Sequence, residues 1–431
     1  MRLLNARTYE FHDVLDTVKP NYAILSHTWE DGEVLFEDMQ DTCKVDWTTK
    51  KGYFKIRKTC EQALQDGCDF VWIDTCNINK DSSAELSEAI NSMFRWYRDA
   101  VICYAYISDI KAEGQRSLSE CRWLTRGWTL QEMIAPDRVH FYDVNWDYLG
   151  SRISLAAQLS ESSGIHASVL LRRHPIPSFK VQTGVGVVIG FEARKLHTAE
   201  LAKSECQCCK RAEKEYVHVM MDRFSVAQKM KWASKRTTTR EEDIAYCLMG
   251  LFDVNMPLLY GEGQKAFYRL QKAILEISSD HSILAFRTDP FTDFFFGQSS
   301  LLASDPTVFR DEIQNMHMPT RGTHINLSGT TLSMEMLICP LERSRTFGSH
   351  YIGILDCAID GDPHMRPSIL LSPVDITKLI FRRSEVSLFR LGSKHPTEAV
   401  MMFDNQQNPT ESIMMFDDQQ NPTERTCNKK S

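Results

Sequence analysis

Short apolar runs alternate with helical periodicities through residues 1–150. Tyr22-Ala23-Ile24-Leu25-Ser26 is an apolar run bounded by polar residues, which predicts a buried strand. Phe54 to Asp66 predicts a helix with Ile56, Cys60, Ala63 and Leu64 on one face, and Gly67 stands where a helix-ending glycine belongs. Phe70 to Asp74 predicts a second buried strand. Ser82 and Glu85 have capping-box spacing, ahead of a face made of Leu86, Ile90, Met93, Phe94 and Tyr97. Val101 to Ile107 reads as a third strand, Thr129 to Ala135 as a short helix stopped by Pro136, and Arg138 to Tyr142 as a fourth strand. Strands alternating with helices predict an α/β unit: a parallel sheet with flanking helices.

The rest of the chain divides by pattern. Residues 151–221 read as an irregular, poorly ordered insertion, in which periodicity fades from Pro175. Residues 222–285 read as a helical segment. Thr239 and Glu242 have capping-box spacing there, with Ile244, Leu248 and Leu251 following on one face. Gly261-Glu262-Gly263 opens a helix whose face is Phe267, Leu270, Ile274 and Ile277. Residues 286–395 predict a β-rich C-terminal region. Its strands are Leu332 to Ile338, Tyr351 to Ala358 and Ser387 to Leu391, and Ile283 to Phe286 reads as a strand just before them. Residues 396–431 read as a disordered tail with a tandem repeat, TEAVMMFDNQQNP from Thr397 and TESIMMFDDQQNP from Thr410. A second reading makes each Met-Met-Phe an anchor for a partner.

Composition narrows the classes. The chain has 431 residues, which suggests two to three domains. Lys plus Arg number 50 against 57 Asp plus Glu, for a net charge of -7, which argues against a general nucleic-acid binder. The 13 cysteines are scattered through apolar stretches, as reduced intracellular thiols are. The first residues hold no signal-peptide run, and no 18-residue uncharged apolar stretch occurs, so no membrane span is expected. The expectation is a cytoplasmic protein.

In an open parallel sheet, ligands bind beyond the carboxyl ends of the strands. Here those ends carry Ser26-His27-Thr28-Trp29-Glu30, Asp74-Thr75-Cys76-Asn77 and Ser108-Asp109. The most distinctive stretch is Arg122-Trp123-Leu124-Thr125-Arg126-Gly127-Trp128-Thr129-Leu130-Gln131-Glu132. Trp128 and Glu132 are four apart on one helix face, so a glutamate beside an aromatic wall is available for acid/base work or for stabilising a cation. The same spacing also fits Trp123 and Trp128 as core anchors with Glu132 paired to Arg126. Cys76 with His27 has the composition of a nucleophile and its base, but cysteines on buried strands are usually inert. Cys206, Cys208, Cys209 and His218 lack the spacing of a zinc site, and no Walker A motif occurs, so neither metal nor cofactor is expected.

Tyr22 to Met39 (YAILSHTWEDGEVLFEDM), Gly52 to Ile110 and Arg122 to Pro136 (RWLTRGWTLQEMIAP) resemble the three blocks of the fungal heterokaryon-incompatibility (HET) domain. Lys231 to Ile274 resembles the segment that commonly follows it in the HET-E-like vegetative incompatibility family. The resemblance implies non-self recognition and programmed cell death, with self-association and an incompatibility partner protein. It also implies a remote likeness to TIR domains, hence a flavodoxin-like fold and NAD as a substrate cleaved at the nicotinamide–ribose bond. On that likeness Glu132 is the catalytic carboxylate. Ser26, His27, Trp29, Asp74, Cys76 and Trp128 are the binding residues. The sequence departs from the family pattern at Glu30, where a glycine is usual, and at Asn79, where a carboxylate is usual. Residues 175–221 interrupt the pattern, as an insertion or a translated intron would.

Overall fold

The computed structural model describes residues 1–15, 18–40, 46–111, 117–172, 216–286, 301–309, 316–317, 325–328, 331–340, 351–359, 365–375, 380–390 and 398–403. The first unit is a seven-stranded sheet. Its strands in chain order are β1 (Arg2–Asn5), β2 (Phe11–Asp13), β3 (Tyr22–His27), β4 (Phe70–Trp72), β5 (Ile102–Tyr106), β6 (Val139–Tyr142) and β7 (Tyr148–Ser151). Across the sheet they lie in the order β2-β1-β4-β3-β5-β6-β7. The four predicted strands form the centre, and β4-β3-β5-β6 pair in parallel throughout. Counting only these four, the order is second, first, third, fourth, as in flavodoxin-like sheets. That places the switch point between β3 and β5. The expected parallel sheet is therefore mixed, because β1 and β2 on one edge and β7 on the other pair antiparallel. These edge strands have three or four residues each, too few to show an alternation in the sequence.

Helices flank the sheet as α1 (Phe36–Gln40), α2 (Tyr53–Gln65), α3 (Ser83–Asp99), α4 (Arg122–Thr125), α5 (Thr129–Ile134), α6 (Ala156–Ser163) and α7 (Ala167–Leu170). Side chains alternate along each strand, so two cores form. On one face Ala23, Leu25, Val71, Ile73 and Tyr104 pack with Ile56, Cys60 and Ala63 of α2. On the other, Tyr22, Ile24, Trp72, Cys103 and Phe141 pack with Ile90, Met93, Phe94 and Tyr97 of α3 and with Leu130 and Met133 of α5. Helix α2 ends where predicted, and Gly67 takes φ +79°, a left-handed conformation that glycine adopts without steric cost.

The second core does not stop at residue 150. It continues through α8 (Tyr216–Met221), α9 (Val226–Ala233), α10 (Asp243–Tyr246), α11 (Met249–Phe252) and α12 (Lys265–Ile277) to Leu371. Gly250 of α11 lies so close to α3 that an added Cβ would stand 2.1 Å from Phe94 Cβ.

Several local expectations are corrected. Ser82 does cap α3 by accepting the Glu85 N–H at 3.3 Å, but the Glu85 carboxylate turns to Arg2 and the Asn79 N–H, so the box is half formed. Thr239 caps nothing. Glu242 opens α10 without a side-chain cap, and its carboxylate instead accepts the N–H groups of Gly261 and Gly263. The complete capping box is Ser225 with Gln228, at the start of α9. Ile277 is exposed, and Leu275 and Gln271 are buried on α12 in its place. Ile283 lies in a 3-10 turn, His281–Leu284, rather than a strand. There Asp280 accepts the N–H groups of Val226 and Ser282 and fixes the bend.

The C-terminal region is β-rich, as expected. Its strands are β8 (Met316–His317), β9 (Ile325–Ser328), β10 (Thr331–Pro340), β11 (Tyr351–Ile354), β12 (Ala358–Ile359), β13 (Met365–Asp375), β14 (Ile380–Arg390) and β15 (Glu398–Phe403). Six of them form one sheet, β11-β13-β14-β15-β10-β9, antiparallel except for β14 with β15, and β11 also pairs with β10. Strand β15 is the start of the first repeat copy, where a disordered tail was expected, and it pairs with Leu332–Leu337 of β10. The second copy and the Cys206-Cys208-Cys209 cluster lie outside the described residues.

Candidate active site

Strand β3 ends in Ser26 and His27, at the switch point. The Ser26 hydroxyl is fully buried and held from two sides. It accepts the indole N–H of Trp123 at 2.8 Å and donates to Glu132 Oε2 at 2.5 Å. Trp123 sits on α4 and Glu132 on α5, so the turn at Arg126-Gly127 aims both side chains back at β3. The Tyr97 hydroxyl of α3 lies between the Leu25 carbonyl, at 2.9 Å, and the Glu132 carboxyl.

The Glu132 carboxyl is buried, and burial pushes its pKa from 4.5 up to about 8, with the Asp74 charge adding to the rise. Hydrogen bonds from Ser26 and Tyr97 and the charge of Arg236 work against it. At neutral pH the carboxyl therefore keeps its proton. A buried carboxyl with a raised pKa at strand ends is a functional-site candidate.

A second cluster stands at the same strand ends. The Trp29 indole N–H donates to Asp74 Oδ2 at 2.8 Å. Lys80 Nζ lies 3.3 Å from the centroid of a Trp29 ring. His27 is buried, and neither ring nitrogen has a hydrogen-bond partner. Its Nε2 is 3.7 Å from Asp74 Oδ1, too long for a hydrogen bond. Burial and the charges of Lys55 and Lys80 push the imidazole down, so it is neutral and forms no ion pair with Asp74. Glu30 does not project a free charge. It accepts from Ser108 Oγ at 2.6 Å and lies 3.6 Å from Arg122 Nη1. Asn79 forms a turn in which its Oδ1 accepts the Asp81 N–H.

The structure thus brings together Ser26, Glu132, His27, Trp29 and Asp74. It leaves out two of the expected residues. Cys76 is buried on the α2 side of the sheet; its thiol donates to Asn77 Oδ1 at 3.3 Å, and burial pushes its pKa well up. That is an inert thiol, and the Cys76–His27 nucleophile reading falls. Trp128 hydrogen-bonds Asp243 of α10 and packs against the helical segment. Glu132 is not paired with Arg126, which donates to Thr239 Oγ1 at 2.7 Å. Tyr97 and Lys80 belong to the site but gave no signal. Tyr97 reads as one more apolar position on the α3 face, and Lys80 as a loop lysine. No group of three or more His, Cys, Asp or Glu with metal-site geometry occurs among the described residues.

Comparison with known proteins adds the class. Residues 22–117 match the heterokaryon incompatibility protein (HET) family, so the chain contains a HET domain. Over 267 residues it is 40% identical to vegetative incompatibility protein HET-E-1 of Podospora anserina, an alignment covering 59% of this chain. The chain spans only 16% of that protein's length. No solved structure matches it. The HET match includes Ser26, His27, Trp29, Asp74 and Lys80, while Glu132 lies beyond its end. No helix among the described residues is long and apolar enough to cross a membrane.

Proposed function

We propose that the chain is a heterokaryon-incompatibility effector, acting in non-self recognition and programmed cell death, and that its crevice hydrolyses NAD at the nicotinamide–ribose bond. One observation carries this reading: Ser26 at the switch-point strand end is hydrogen-bonded to Glu132, a buried carboxyl at the position the TIR likeness assigns to catalysis.

The chemistry suits that carboxyl. The C1′–N bond breaks, and its electron pair leaves with nicotinamide, which departs neutral. A cation develops at C1′, water adds there, and one proton is released with ADP-ribose. A carboxylate beside C1′ stabilises the cation electrostatically. Glu132 is held neutral by burial, so the positive nicotinamide ring, once bound, supplies the charge that favours its ionised form. Ser26 and Tyr97 fix its position, and the half-exposed Trp29 with Lys80 over its ring stands at the same strand ends.

The test is nicotinamide release from NAD by the purified chain at high concentration, beside a Glu132→Ala control. Release by the parent and not by the variant supports the reading. No release from a folded parent shown to self-associate would move the function to a non-catalytic signalling module that works through self-association and its incompatibility partner.

A further inference from the structure

Five buried polar atoms without hydrogen-bond partners belong to four residues of these strand ends and the loop after β4: both ring nitrogens of His27, Oδ1 of Asp74, Oγ1 of Thr75 and Nζ of Lys80, of which Asp74 and Lys80 touch Trp29. Buried polar groups are paired in the great majority of cases, and each orphan needs a reason. Single orphan atoms also occur at Glu33, Trp72, Gln131, Trp146, Arg236 and Arg366, whereas Arg152 reaches four backbone carbonyls and Gln271 spans the Ala303 amide and carbonyl. The orphans here come from the carboxyl ends of two adjacent parallel strands and the loop that follows β4. They adjoin the most solvent-open tryptophan of the crevice, 39% exposed.

Their chemistry defines what would satisfy them. Lys80 has three donors and no acceptor. The Asp74 carboxylate offers only acceptors, and Oδ2 is already taken by Trp29. A phosphate would turn its own oxygens toward Asp74 Oδ1 and meet like charge. A cation would meet Lys80. An apolar group would leave all five atoms unpaired. What fits is an uncharged group that carries an acceptor and a donor side by side.

We propose that Lys80, Asp74 and His27 form a recognition point of the crevice for such a group, the carboxamide or a ribose diol of a nicotinamide or nucleoside ligand, with Trp29 holding Lys80 by its ring and Asp74 by its indole N–H. Lys80 Nζ donates to the group's oxygen, and Asp74 Oδ1 accepts its N–H or O–H. His27, with one donor and one acceptor nitrogen, completes the pairing. Lys80 is a specificity-determining residue in this arrangement and takes no part in bond breaking. Burial lowers the pKa of its ammonium, while the nearby Asp74 and Glu33 charges work against the fall. The inference rests on the nucleotide-cleaving reading of the same crevice and extends it to the substrate's recognition.

The test is calorimetric titration of the full chain, carrying Glu132→Gln to prevent turnover, with NAD and with ADP-ribose. Lys80→Met and Asp74→Asn are each expected to weaken binding about 10- to 100-fold, the worth of a buried hydrogen bond to a charged group. A loss with both ligands assigns the diol, and a loss with NAD alone assigns the carboxamide. Equal affinity of parent and Lys80→Met for both ligands overturns the proposal, as does binding of neither ligand by a folded parent. Lys80→Met gives up the cation–π contact with Trp29, so its melting temperature is read alongside its affinity, and Lys80→Arg should recover part of the affinity. Lys80-dependent binding without nicotinamide release by the native chain would retain the recognition point and remove the hydrolysis. Release with kcat/KM unchanged by Lys80→Met would do the reverse.

Discussion

The buried guanidinium of Arg236 donates to the backbone carbonyl of Arg126 at 2.8 Å and, through the same nitrogen, to Thr129 Oγ1 at 2.8 Å. It thereby fixes the turn that launches the Glu132 helix. The contact is reinforced on both sides. Gly127 N–H donates to the Thr237 carbonyl at 2.9 Å, and Thr237 N–H donates to the Thr125 carbonyl at 2.7 Å. The candidate site is thus completed by residues that lie well outside the HET match.

This seam leaves no room for a side chain at Gly127. An added Cβ would stand 2.5 Å from Thr238 Cγ2 and 3.2 Å from Cys247 Sγ. Gly127→Ala should cost about 1–3 kcal/mol, as overpacking does. Thr238→Ser removes the closest methyl, so the double variant should recover part of that loss in urea unfolding. Equal stability of Gly127→Ala and parent would show that the seam is loose.

Glu132 gives stability a distinctive pH dependence. Its folded pKa of about 8 lies above the ordinary 4.5. Below pH 4.5 both folded and unfolded chains hold the proton. Between 4.5 and 8 the unfolded chain loses it and the folded chain keeps it, so this group's contribution falls as pH rises, by about 1.4 kcal/mol per pH unit. Glu132→Gln has no proton to lose. Its stability advantage over the parent should grow from pH 5 to pH 8, and denaturation curves that stay a constant distance apart would contradict this.

The same value sets a kinetic expectation. If the ionised carboxylate performs the cleavage, kcat/KM for NAD should rise with pH through a midpoint of about 8, because that ratio reports the free enzyme. A flat profile between pH 6 and about 9 would remove Glu132 from the rate equation.

Arg152 supports the far end of the same helix. It is 1% exposed and donates to the carbonyls of Met133, Pro136, Asp137 and Leu170. A cation at a helix C-terminus is favoured by the helix dipole, and here it also satisfies the last carbonyls. Arg152→Met should cost about 3–5 kcal/mol by leaving several of them unpaired, and Arg152→Lys should not rescue it, since an ammonium lacks the planar fork. Thermal melting of the two variants decides the point.

The central strands and α2, α3 and α5 were legible because each carries a repeating pattern that its environment enforces. Tyr22 to Leu25 is buried on both faces, and Ile56, Cys60 and Ala63 recur at helical spacing. Positions with a second, polar role were not legible. Trp123 and Tyr97 are apolar by residue type, yet their polar tips hold Ser26 and adjoin Glu132. Trp128 has the right spacing to Glu132, but Asp243 takes its indole. Glu242 has a capping-box spacing from Thr239 and spends its carboxylate on two glycine amides instead. In each case the partner that decides the role is distant in sequence, so no local pattern reveals it.

The Arg236–Arg126 contact joins positions 110 residues apart. A ribosome adding about 5–20 residues per second needs about 5–20 s to cover that span. The HET-matched stretch and the Glu132 helix are therefore synthesised well before the clamp that holds the helix in place. On the nascent chain the crevice has an unsecured wall, and it is assembled only once translation has passed Thr239.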